Sequence, residues 1–136
     1  MYAPPALDAV LATPAPVSIA ANRRNIGEVR FTLDGKGFVR TIGKHVPLEG
    51  AYGESIGMHY FCRDALRTLF RKVDEFVNEG RSDVFYEMAF ERMIADEGWQ
   101  FDPVDVTDAG CFEVDSIEDL RVLERLLTES GRSGGK

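Results

Sequence analysis

The chain has 136 residues and a mass of 15.2 kDa, the size of one domain, with 44% hydrophobic and 29% charged residues. That mix excludes a wholly disordered chain. Sixteen basic residues stand against 23 acidic ones, net −7; such a surface repels phosphate backbones and anionic headgroups, so neither nucleic acid nor a membrane is expected as partner.

Pro4 and Pro5 open a helical pattern in which Leu7, Val10 and Leu11 recur at helix spacing. Met1 to Thr13 carries no basic residue, so it does not read as a signal peptide, and no apolar run of membrane-spanning length follows. A cytoplasmic location is expected. Val17 to Ala21 reads as a short buried strand and Asn22 to Asn25 as a polar loop. Glu28 to Leu33 alternates, with Val29, Phe31 and Leu33 on one face. Asp34-Gly35 is a turn signal, and Phe38 to Ile42 returns as the second strand of a hairpin.

A glycine-rich loop, Gly43 to Gly53, precedes a strand from Ser55 to Phe61 with Ile56, Met58 and Tyr60 on one side. The clearest helix runs from Arg63 to Asn78 and is ended by Gly80. Its expected buried stripe is Leu66, Leu69, Phe70, Val73, Phe76 and Val77. Ser82 or Asp83 is expected to cap a helix over Val84 to Asp96, with Phe85, Met88, Ala89, Met93 and Ile94 inward. Trp99 to Val106 is strand-like, and Cys111 to Val114 is a further short strand. Ser116 and Asp119 form a capping box for a last helix that buries Ile117, Leu120, Leu123, Leu126 and Leu127. Gly131 to Lys136 reads as a flexible tail after a single domain over residues 1–130. Alternating strands and helices predict an α/β fold, a layered mixed sheet with flanking helices.

Cys62 and Cys111 form no Cys-x-x-Cys pair and read as two reduced thiols. Gly37 to Lys44 superficially suggests a phosphate loop. It fails because five residues separate the glycines and His45 follows the lysine where a hydroxyl should hold magnesium. No Gly-x-Gly-x-x-Gly and no Gly-x-Ser-x-Gly occurs. His45 and His59 pair with no Cys or His at metal spacing, and His59 reads as a partly buried strand residue.

The carboxylates carry more. Glu113 and Asp115 are spaced by two on a strand and share a face. Asp115 sits where that strand meets a helix, a position that suits either a turn acid or a ligand to magnesium. Asp102, Asp105 and Asp108 read as a solvated loop. Tyr86-Glu87, near a helix start, faces a pocket or water; Tyr60, Phe61 and Tyr86 line an aromatic pocket or the core.

Four segments, in order and spacing, resemble nucleoside-triphosphate transferases of the sugar-phosphate and phosphocholine type. Cys111-Phe112-Glu113-Val114-Asp115-Ser116-Ile117-Glu118-Asp119-Leu120 is similar to the family's closing Trp-x-Glu-Ile-Asp-Thr-x-Glu-Asp-Leu. Gly53-Glu54-Ser55-Ile56-Gly57-Met58 is similar to its Gly-Glu-x-Ile-Gly-Ile strand, Val39 to Lys44 to the hairpin strand before it, and Phe85-Tyr86-Glu87 to its Tyr-Tyr-Glu segment. The resemblance spans Tyr2 to Leu127 and covers only the second half of the family's domain, so a truncated domain is expected, without the glycine-rich loop and first magnesium aspartate. Asn22 stands where many members have Asp, and Cys111 replaces the usual tryptophan.

The resemblance implies transfer of a nucleotidyl group, cytidylyl above all, from a nucleoside triphosphate to a phospho-alcohol, phosphonate or sugar phosphate, releasing pyrophosphate. It implies Asp115 and Lys44 as catalytic residues, Asp115 also as a magnesium ligand and Lys44 as a contact to acceptor phosphate, and Glu54, Tyr86 and Glu87 as substrate-binding residues. A homo-oligomer or a partner chain would complete the site. The competing expectation is a non-catalytic, self-associating assembly module, a dimer indifferent to magnesium and nucleotide.

Overall fold

In a computed structural model that describes residues 4–24, 26–111, 114 and 116–133, the chain is an α/β domain built on a five-stranded mixed sheet with flanking helices. The elements are α1 (Pro4–Ala12), β1 (Val17–Asn22), β2 (Arg30–Leu33), β3 (Val39–Gly43), β4 (Gly53–Phe61), α2 (Arg63–Asn78), α3 (Glu87–Glu97), β5 (Phe101–Asp105) and α4 (Ile117–Ser133). The sheet order is β3-β2-β4-β1-β5; β1 runs parallel to β5 and antiparallel to β4. Among the described residues no helix is long and apolar enough to cross a membrane.

Alternation along β1 divides the core in two. Val17, Ile19 and Ala21 join Phe31, Ile42, Phe90, Met93 and Phe101 in the larger cluster. Ala20 faces the smaller one, with Ala6 and Val10 of α1, Ile56 and Val106. The buried hydroxyl of Ser18 donates to the Val10 carbonyl at 2.9 Å, tying α1 to the strand without an unpaired polar group. Within α1 it is Ala6 and Val10 that are buried; Leu7 and Leu11 are exposed.

The hairpin, the long helix and the strand after it stand where the sequence places them, and Arg63–Asn78 matches to the residue. Gly80 N and Arg81 N donate to the carbonyls of Val77 and Phe76 and close that helix. Four expectations are corrected. The α2 stripe is only partly the buried face: Phe76 is buried and Leu69 packs against the core, but Leu66, Phe70 and Val77 are exposed, and Ala65, Thr68 and Lys72 are buried instead. Helix α3 begins at Glu87, after a turn over Ser82 and Asp83, with Tyr86 as its N-cap residue, and Phe85 is exposed. Cys111 and Val114 belong to no strand, and Phe112 and Glu113 between them lie outside the described residues. In α4, Ile117 and Leu120 are exposed.

Candidate functional site

The irregular stretch of β4 organises what surrounds the site. Ile19 pairs with His59 and Ala21 with Ser55, so two positions on β1 oppose four on β4. Gly57, at φ 72°, takes up the surplus in a bulge that a side chain would strain. In a regular strand, residues four apart stand roughly 13 Å from each other; the bulge instead brings Ser55 Oγ within 2.9 Å of His59 Nε2. Phe90 and Tyr86 meet the His59 ring edge-on at 5.1 and 6.0 Å. Burial in this aromatic nest pushes the imidazole down to about 4, so it is neutral at pH 7. The pair is a part-buried strut, and the half-exposed Tyr86 ring packs against it.

In front of it, a cavity of about 310 Å³ opens between Val29, the turn after β3 and the first turn of α3. Lys44, His45, Arg81, Phe85, Glu87 and Met88 line it. The turn starts at Gly43, whose φ is 147° and where a Cβ would meet the His45 ring at 2.8 Å. His45 Nε2 then lies 3.2 Å from Glu91 Oε1, and Ile42 N donates to that oxygen at 3.4 Å, which fastens the turn to α3. Arg30 ties the neighbouring loops together through the carbonyls of Gly27 and Val46.

Lys44 Nζ pairs with Glu28 and sits 4.0 Å from the centroid of the Phe85 ring. The ammonium beside it holds the Glu28 carboxyl below its ordinary range. Glu54 does not line the cavity. Its carboxylate accepts from Glu28 N at 3.1 Å, and a Cβ on Gly27 would overlap it. Glu54 therefore holds the strand of backbone that presents Glu28 to Lys44.

Glu87 has the most unusual surroundings. It is 5% exposed, and its Oε2 has no hydrogen-bond partner among the described residues. The open N-terminal turn of α3 favours a negative charge there, but an unsatisfied buried acceptor still costs about 1–3 kcal/mol, more when charged. A donor entering the cavity would recover that cost.

The structure thus brings together Lys44 and Glu87, sets Tyr86 and Glu54 behind them as supports, and leaves Asp115 and Glu113 outside the described residues. Among the described residues no three His, Cys, Asp or Glu side chains cluster as a metal site. The acids of β5 and the turn after it are paired, not merely solvated: Asp102 accepts from Thr13, Asp105 meets Arg23 and Asp108 meets Arg24. Sequence reading passed over Glu28, Phe85 and Arg81 as site residues. Glu28 was readable only as part of an alternating strand, and its proximity to Lys44 arises from the β2–β3 pairing, in which Arg30 opposes Gly43.

The chain matches no protein-family model, and no curated protein matches it.

Proposed function

We propose that this chain is the acceptor-binding half of a cytoplasmic nucleotidyltransferase, acting on a phospho-alcohol, phosphonate or sugar phosphate and completed by a glycine-rich nucleotide grip outside this sequence. The observation that carries the reading is that Lys44 and Glu87, taken from two separate motifs, line one cavity. Its basic wall of Lys44, His45 and Arg81 suits the acceptor phosphate, and the unpartnered Glu87 Oε2 suits a hydrogen-bond donor at the other end of the same molecule. An acceptor with an ammonium group fills both, and the Phe85 face adds a cation–π surface. A phosphate oxygen of the acceptor attacks the α-phosphorus of the nucleoside triphosphate. The bond from that phosphorus to the β-phosphate bridge breaks, and pyrophosphate leaves. The chain's own side chains hold and orient the acceptor, which is most of the protein's work in phosphoryl-type transfer. Magnesium, on Asp115 by resemblance, would neutralise the triphosphate charge.

The test is pyrophosphate release by the purified chain with magnesium, each of the four common nucleoside triphosphates and a pool of phosphocholine, aminoethylphosphonate and sugar phosphates. Asp115→Ala and Glu87→Gln run beside it. Release that needs one nucleotide and one acceptor and disappears with Asp115→Ala supports the reading. If phosphocholine, aminoethylphosphonate and the sugar phosphates all fail to bind the cavity by calorimetry, the acceptor role is wrong.

A second reading, a self-associating assembly module, is favoured by one observation: Leu66, Phe70 and Val77 form an exposed apolar row along α2. It requires a dimer that phosphocholine, magnesium and nucleotide leave unchanged.

A further inference from the structure

We infer that a second cavity, adjoining the first, binds a phosphate-class oxyanion on Arg40 and Arg81. It measures about 380 Å³ and lies between β3, the end of α2 and α3, with Arg40, Thr41, Phe76, Arg81, Glu91 and Arg92 in its wall. Arg81 and Met88 also line the Lys44–Glu87 cavity, so they form the partition between the two.

Three guanidinium groups from three different segments converge here in a chain of net charge −7. Two are braced on one aromatic ring: Arg92 Cζ lies 3.7 Å and Arg81 Cζ 4.9 Å from the centroid of the buried Phe76. Both reach the same carboxylate oxygen, Glu79 Oε2, Arg92 at 2.7 Å and Arg81 at 3.9 Å. An oxyanion is thus already held at this edge by the protein itself. Arg92 is committed, since its two terminal nitrogens bond the two oxygens of Glu79 at 2.9 and 2.7 Å. Arg81 makes only the long contact, and Arg40 has no carboxylate partner among the described residues.

One acid, Glu91, stands in the same wall and offsets part of this positive charge. Glu91 Oε1 is engaged by His45 Nε2 and Ile42 N on the β3 side. With Arg92 matched by Glu79, the guanidiniums of Arg40 and Arg81 suit an anion that offers several acceptor oxygens. A phosphate group near neutral pH carries close to two charges, and a single carboxylate does not. Free phosphate and a phosphorylated small molecule share this chemistry.

The experiment is calorimetric titration of the full chain at constant ionic strength, with inorganic phosphate in one arm and a simple alkyl phosphate monoester in the other. Wild type and Arg40→Gln are compared. Wild type should bind saturably. Arg40→Gln should weaken binding about tenfold while its thermal melting stays unchanged, because Arg40 braces nothing. A tighter monoester assigns the site to a substituted phosphate, and equal affinity assigns it to the free ion. Wild-type affinity in Arg40→Gln would place the anion elsewhere and overturn the inference. Arg81 borders both cavities, but Arg40 lines only the second, so the Arg40→Gln comparison reads this site and the pyrophosphate assay reads the other.

Discussion

Helices α2 and α3 pack on each other, and each buries one charged side chain. Helix α2 leaves Phe70 61% exposed and buries Lys72; helix α3 leaves Arg92 and Glu97 on its α2 side and buries Glu87. The two cases differ in how the misplaced group is satisfied. Lys72 Nζ meets Asp96 at 2.7 Å and Glu75 and Glu97 at 3.4 Å, and the Asp96 carboxylate leads in raising its pKa above the ordinary lysine value. It is a closed structural pair between helices. Glu87 has an oxygen with no partner among the described residues and a cavity in front of it. A buried charge that is fully paired says how two helices dock. One that is not points to what else enters.

The sharpest way to break that contrast is to attack the packing beneath it. Phe90 sits one turn after Glu87, fully buried, with the rings of His59, Phe61 and Phe101 within 5.5 Å of its centroid. Phe90→Ala should cost about 3–5 kcal/mol in urea unfolding. A cost near zero would mean that α3 is not seated on the sheet as described, and Glu87 would lose its buried setting with it.

His59 gives the next largest effect and probes the strut behind the cavity. Its pKa is about 4 folded against 6.5 unfolded. Above pH 6.5 neither state is protonated and the fold keeps its full stability. As pH falls from 6.5 towards 4 the unfolded chain takes up the proton first, so stability drops, by roughly 3 kcal/mol in all, and then levels. The depressed carboxylates Glu28, Asp96 and Asp105 lose their contribution only as pH falls below the ordinary carboxylate range, so the upper window belongs mainly to the imidazole. Unfolding midpoints measured from pH 7 to 4.5 should slope in wild type and flatten in His59→Gln. An unchanged slope in that variant would refute the assignment.

Glu87→Gln sharpens the contrast directly. Removing an unsatisfied buried charge should raise stability by about 1–2 kcal/mol, and it should weaken an ammonium-bearing acceptor about tenfold. The matching change at the paired site, Lys72→Met, removes the ammonium that Asp96, Glu75 and Glu97 share between the two helices and should lower stability. If Glu87→Gln destabilises instead, its second oxygen has a partner and the cavity loses its anionic anchor.

The sequence-level reading succeeded where period and punctuation decide. The two-residue alternation located β2 and β4, the short apolar run located β1, and the 3- and 4-residue spacing located α2 to its ends. It was half right on which face of α2 turns inward: Phe76 and Leu69 meet the core, but Leu66, Phe70 and Val77 face solvent, while Lys72 is buried on its link to Asp96, which no periodicity records. The late start of α3 was hidden because Ser82 and Asp83 are good cap residues that here sit in a turn, while Tyr86, without a capping side chain, begins the helix. That three-residue shift is what puts Glu87 in the first turn. The convergence of Lys44 and Glu87 was legible only through the family resemblance. The Ser55–His59 strut was not legible at all, since it needs the bulge at Gly57 to fold a strand back on itself.

The smallest expected effect tests the other half of the comparison. Phe70→Ser removes a large apolar side chain that the fold leaves in solvent, so the unfolding free energy should move by no more than about 0.5 kcal/mol. A change of several kcal/mol would mean that Phe70 is covered in solution. Sedimentation then separates the causes. If wild type sediments as a dimer at the concentration of the melt and Phe70→Ser as a monomer, the α2 row is an interface between copies and the stability loss should grow with protein concentration, as mass action requires. If both are monomers and Phe70→Ser is neutral, the row is plain exposed surface. The self-association reading then loses its one supporting observation, and Glu87 is left as the side chain whose placement packing alone does not explain.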